Sequence, residues 1–169
     1  MHRVTNHHPT NHNSILLSAL NGDTDVIRAL VAAGVNVDAT NANGWTALVM
    51  AASWGESVAL NALIAAGADV NAVDNRGWTA LMWAVREGNT DVVRNLVDAG
   101  ADLNVADNIG RTPFNVALRH RDIRNRYRDN TNIIRVLLPH VTNLNLSATE
   151  LQNLNDFFLF LSPVELRAI

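Results

Sequence analysis

The chain has 169 residues, 48% hydrophobic and 17% charged, which suits one compact core, leaves little length for a second catalytic lobe and excludes disorder as a description of the whole. The net charge of −3 is far from the basic balance of a general nucleic-acid binder, and the lack of cysteine rules out disulfides, thiolate zinc sites and thiol nucleophiles. The longest apolar runs fall well short of the ~18 residues that span a bilayer, so no membrane contact is expected and the expected location is cytoplasmic or otherwise intracellular.

Residues 1–13 are polar and His-rich, with His2, His7, His8 and His12, and read as a flexible arm. Fixed metal geometry is not expected there, because an arm holds no ligand in place. From residue 14 to about 145 the chain repeats. Gly34, Gly67 and Gly100 are spaced by 33, as are Gly44, Gly77 and Gly110. A fixed period of this size means stacked units, each burying its apolar face only against its neighbours.

The first unit, about 11–43, lacks the Gly-Trp-Thr-Ala of its neighbours but recovers at Ile15, Gly22 and Leu30-Val31-Ala32-Ala33-Gly34. It reads as a terminal unit that faces water on one side. The second and third, about 44–76 and 77–109, are the most regular: Gly44-Trp45-Thr46-Ala47-Leu48 matches Gly77-Trp78-Thr79-Ala80-Leu81. In the third unit Thr79 caps a helix over 80–85 that Gly88 breaks. Thr90 or Asp91 then caps a second helix with Val92, Val93, Leu96 and Val97 on one face, stopped by Gly100. The polar stretch 101–110 suits an extended arm and a tight turn.

The fourth unit, about 110–145, matches through Gly110-Arg111-Thr112-Pro113-Phe114 up to Leu118 and resumes at Asn130-Thr131. Eight extra residues fall near 119–129, a segment with five Arg and two Asp. An insertion between helices costs little entropy, and a solvated loop is the simpler reading beside weak, salt-sensitive phosphate binding. Over 146–169, Ser147 and Glu150 form a capping box ahead of Leu151, Leu154, Phe157, Phe158 and Leu161, which predicts a C-terminal capping helix. Ser162-Pro163-Val164-Glu165 signals another helix start just before Ile169, so the chain reads as a piece that stops inside a helix.

Gly-x-Thr-Ala/Pro-Leu/Phe, then Ala, Gly and Leu-x-x-x-Gly-Ala-Asp-Val-Asn, resembles the ankyrin repeat over residues 14–145. The resemblance implies an all-α solenoid of stacked helix-turn-helix repeats with β-turn or hairpin arms and a C-terminal capping helix. It also implies a non-enzymatic protein-binding module, with recognition on the concave face and turn tips. The family's variable contact positions correspond here to Ala42, Asn43, Trp45, Ser53 and Trp54, then Asn75, Arg76, Trp78, Arg86 and Glu87, then Asn108, Ile109, Arg111 and Arg119. All four Trp (Trp45, Trp54, Trp78 and Trp83) lie in turns and first helices, so an aromatic cluster is expected where partners dock. The alternative is that Trp83 packs between helices and Trp45 and Trp78 brace the turns. Asn71 and Asn104 match the family's acceptor position for asparaginyl hydroxylation, where a turn role is the simpler alternative.

No nucleophile elbow, phosphate loop, dinucleotide fingerprint or zinc-protease motif occurs, so no catalytic residue, metal or cofactor is expected. Asp69, Asp74, Asp102 and Asp107 fit turns that bond nearby amides. The expected partner is another protein, with nucleic acid disfavoured, and the chain is expected to be a monomer. A second reading is a substrate adaptor in ubiquitin-dependent turnover. It rests on a short resemblance of residues 163–169 to the opening of an F-box-like motif and on all 13 basic residues being Arg. A host-directed effector, with the Arg-rich insertion on an acidic partner, stays open too.

Overall fold

The computed structural model describes residues 10–119, 130–141 and 146–160. The helices are α1 (Thr10–Asn21), α2 (Thr24–Ala32), α3 (Ala47–Trp54), α4 (Ser57–Ala65), α5 (Ala80–Glu87), α6 (Thr90–Asp98), α7 (Pro113–Ala117), α8 (Thr131–Leu137) and α9 (Ala148–Phe160), with a 3-10 turn over Leu138–His140. There is no extended strand among the described residues, only one bridge between Val73 and Thr79. First helices α1, α3, α5 and α7 pack in one layer, and second helices α2, α4, α6 and α8 in another. This is the stacked all-α arrangement that the repeat period implies.

Local chemistry sets the helix ends. Thr46, Thr79 and Thr112 lie in extended backbone, and each hydroxyl accepts the amide three residues on, at 3.2–3.3 Å. In α7 the cap is reciprocal, because Asn115 Oδ1 accepts the Thr112 amide at 2.9 Å, and Pro113 opens the helix where an amide hydrogen would have no partner. In the third unit the second helix differs from the expected cap. It begins at Thr90 with Asn89 as N-cap, and that Asn makes no capping bond. Its Nδ2 donates instead to the Ala52 and Ser53 carbonyls at 2.9 and 3.3 Å, satisfying the orphan end of α3 in the preceding repeat.

Small residues let the layers close. Ala47, Ala51, Ala52, Ala80, Ala84 and Ala117 are buried among Leu48, Leu60, Leu63, Leu81, Leu96, Ile133, Ile134 and Leu137. At the N-terminal end, α1 starts at Thr10 rather than after the expected arm of 1–13. Once Ile15, Leu16 and Ala19 are buried, each residue added backwards gains a helical bond without a new nucleus. At the other end, the predicted Ser147 and Glu150 capping box is present: Ser147 N donates to Glu150 Oε2 at 2.8 Å and Glu150 N to Ser147 Oγ at 3.3 Å. Asn153 Nδ2 donates to the Leu118 carbonyl at 2.6 Å, so α9 is tied to the end of the fourth repeat.

The turns ahead of the first helices stack as well. Asn75 N donates to the Asn43 carbonyl at 3.1 Å and Asn108 N to the Arg76 carbonyl at 3.1 Å. Their side chains repeat the link, Asn75 Nδ2 to Ala42 O and Asn108 Nδ2 to Asn75 O, both at 3.0 Å. This close approach explains Gly77, which has φ +75° and whose added Cβ would lie 3.0 Å from Asn108 N and 3.1 Å from Asp107 Cα. Gly34 has φ +83° but open space around it. Gly34→Ala should therefore cost about 1–2 kcal/mol for the left-handed backbone alone, and Gly77→Ala about 1 kcal/mol more for the clash with backbone. Urea unfolding of both variants checks this, and equal losses would contradict the turn-stacking account.

Candidate functional site

Each inter-repeat turn is closed by one side chain. Asn41 Oδ1 accepts the amides of Asn43 and Trp45 at 2.9 and 3.0 Å. Asp74 Oδ1 accepts those of Arg76 and Trp78 at 2.8 and 2.9 Å, and Asp107 Oδ1 those of Ile109 and Arg111 at 3.1 and 2.9 Å. The turn role read for Asp74 and Asp107 is therefore present, but it uses only one oxygen of each carboxylate. The second oxygen had no signal in the turn motif itself. Asp74 Oδ2 accepts Trp83 Nε1–H at 3.0 Å, whereas Asp107 Oδ2 accepts Trp78 Nε1–H at 2.9 Å from the preceding repeat and Arg111 Nε–H at 2.7 Å.

These bonds draw the indoles together. Trp45 and Trp83 have ring centroids 4.5 Å apart and Trp78 and Trp83 4.9 Å apart, tilted by 58° and 55°. Three guanidinium groups cover two of them: Arg86 lies 5.0 Å from the Trp83 ring, Arg111 5.2 Å from Trp78, and Arg76 5.9 Å from both. Tilted rings and cations over ring faces are both favourable contacts of the indole quadrupole.

The expectation of an open aromatic face is corrected for part of the cluster. Trp78 and Trp83 are 6% and 5% exposed, because burying an indole is favourable once its N–H has an acceptor, and Asp107 and Asp74 supply it. Trp45 is half-buried, while Trp54, at 63%, and Ile109, at 71%, are exposed. Asn43, Asn75 and Arg76 are exposed at the turn tips. Arg86 and Glu87 are half-buried and face each other at 3.7 Å. Arg119 is exposed but pairs with the buried Glu150 of α9 at 3.6 Å, and so bonds the capping helix rather than standing free. Arg76 has no carboxylate within ion-pair distance among the described residues, unlike Arg86, Arg111 and Arg119.

Between the second and third turns, a cavity of about 290 Å³ is lined by Asn43, Trp45, Asp74, Asn75, Arg76 and Trp83. On the other layer a groove of about 540 Å³ runs across α2 and α4 between Ile27, Val31, Val58 and Ala62. Asn71 and Asn104 are both exposed. Asn71 Oδ1 accepts the Asp102 amide of the next repeat at 2.8 Å, and Asn104 Nδ2 donates to Asp102 Oδ1 at 3.3 Å. Among the described residues no group of three or more His, Asp or Glu has the geometry to hold a metal, and no helix is long and apolar enough to cross a membrane. His2, His7 and His8, the insertion beyond Arg119, and residues 163–169 with their adaptor-like resemblance lie outside the described residues.

Burial pushes the Asp107 carboxyl up, but the Arg111 side chain, the Arg111 and Ile109 amides and the Arg111 charge together hold it below the ordinary aspartate range. In Glu150 burial is likewise outweighed, by both bonds from Ser147 and by Arg119. A depressed carboxylate adds stability that is present above its unfolded pKa and is lost as pH falls through its folded one. Asp107→Asn would keep the turn bonds but set an amide N–H₂ against Trp78 and Arg111, costing about 2–4 kcal/mol at neutral pH. The gap between wild type and variant should narrow in acid, below the ordinary aspartate range. Denaturant unfolding at several pH values measures both, and a pH-independent gap would contradict the assignment.

A family model for ankyrin repeats (3 copies) matches residues 2–74 and 58–148. No curated protein matches the chain.

Proposed function

The chain belongs to the ankyrin-repeat family, whose members are generally protein–protein interaction modules and typically non-enzymatic, and from that premise we propose that it binds a protein partner through its turn tips and first helices. The observation that carries the reading is an anchor pattern: Trp54 and Ile109 are exposed large side chains on the same set of turns and first helices that carries the rigid indole and guanidinium cluster. Exposed aromatic side chains beside Arg are the composition of binding hot spots, and a surface already locked by internal bonds loses little entropy on docking. The buried indoles contribute by holding that surface rigid, and the half-buried Trp45 and exposed Arg76 by touching the partner.

The partner's complement is an apolar anchor with acidic neighbours, matched to Trp54, Ile109 and Arg76. Asn71 and Asn104 are exposed and in this reading open to an asparaginyl hydroxylase, and the bond from Asp102 to Asn71 makes the arm more rigid there. The protein acts as a monomeric intracellular module in this reading.

Photo-crosslinking tests it. A benzoylphenylalanine at position 54 or 109 should give the same partner adduct from native lysate, and one at the exposed Arg94 of α6 should not. Trp54→Ala should weaken capture by about 30-fold, the loss of a ~2 kcal/mol hot spot, with the helical circular dichroism unchanged because the side chain is exposed. Undiminished capture by Trp54→Ala and Ile109→Ala together would overturn the reading.

A further inference from the structure

The repeats are chemically alike at the turn, but their indoles use it differently. Trp45 and Trp78 are one period apart, so if the repeats were equivalent Trp45 would donate to Asp74 as Trp78 donates to Asp107. It does not: Asp74 Oδ2 accepts the indole N–H of Trp83 of its own repeat instead, at 3.0 Å. The corresponding position in the fourth repeat is Val116, which has no N–H to compete, and Asp107 is left for Trp78. The Trp45 indole N–H meets no acceptor among the described residues.

Trp45 lines the 290 Å³ cavity together with Arg76, whose guanidinium lies over Trp78 and Trp83 and has no carboxylate partner among the described residues. The cavity wall thus carries two donors without acceptors among the described residues, one of them cationic, and the exposed Asn43 amide adds another. Its one carboxylate, Asp74, already receives three N–H groups, from Arg76, Trp78 and Trp83, which spread its charge. A site with spare donors, a cation and an aromatic floor is complementary to an anion-bearing acceptor attached to an apolar group.

We propose that this cavity is a subsite for a single acidic side chain of the partner, Glu or Asp, next to an aromatic residue. The carboxylate takes hydrogen bonds from Arg76 and Trp45, and the neighbouring ring covers the half-buried Trp45 indole. The volume, just below the roughly 300 Å³ where drug-sized pockets begin, suits one or two side chains and no longer segment. The assignment rests on reading this face as the docking surface, and it adds a sequence preference to it.

The test needs no partner. Titration of the ¹⁵N-labelled full chain with the blocked dipeptides N-acetyl-Phe-Glu N-methylamide and N-acetyl-Phe-Gln N-methylamide is followed at the four indole N–H resonances, the Trp45 signal being assigned by its loss in Trp45→Phe. The expected result is a saturable shift of the Trp45 signal, about tenfold weaker for the Gln probe and about tenfold weaker for Arg76→Gln with the Glu probe. An unchanged helical circular dichroism and dispersed backbone amide signals show that the variant is folded. Equal binding of the two probes, a shift confined to Trp54, or full binding by folded Arg76→Gln would overturn the subsite. Those outcomes leave docking through Trp54 and Ile109 standing. Loss of crosslinking from positions 54 and 109 alongside a Trp45 shift would instead remove the docking reading and keep the cavity.

Discussion

One acceptor position, repeated every 33 residues as Asn41, Asp74 and Asp107, governs how this chain is put together. A side-chain oxygen there closes the turn before each first helix by accepting two amides. The closed turn places a Thr to cap the helix and brings the next turn within backbone hydrogen-bonding reach. Repeats of this size cannot bury a core alone, so the register of neighbours is the fold. The turn bonds set that register along one edge, while Ala-rich helix faces set it through the two layers.

The two carboxylates do more than the amide. Asn41 has a single acceptor oxygen, and the residue one period before Trp83 is Met50, which has no N–H to offer. Asp74 and Asp107 each have a second oxygen, and each meets an indole N–H. Charge at this position therefore accompanies an aromatic donor, and the result is a rigid patch of three indoles, two of them overlaid by guanidinium groups. Rigidity there comes with a buried charge, which is tolerable because Arg111 and several N–H groups surround Asp107.

The regular part of this design was legible before any coordinates. The period, the Thr caps, the Gly stops, the Ser147 and Glu150 box and the turn role of Asp74 and Asp107 are local signals, each needing only a few neighbouring residues. The exposed aromatic face was only partly legible. Four indoles on turns and first helices share a side in any stacked reading, yet Trp78 and Trp83 are buried and Trp54 is exposed. Their burial depends on acceptors 29 and 9 residues away, and the same 33-residue spacing that reveals the repeat hides which copy of Trp wins a given Asp. Arg119 is a similar case: its charge reads as free in sequence, and only the return of α9 supplies Glu150.

By itself the amino-acid sequence determined the architecture, because a repeat restates its local rules often enough for caps, stops and apolar faces to be read by comparison of one copy with the next. Tertiary structure decided which side chains are available to a partner. Availability depends on competition between donors from different repeats for one carboxylate oxygen, a property of distances across the stack that no single repeat contains.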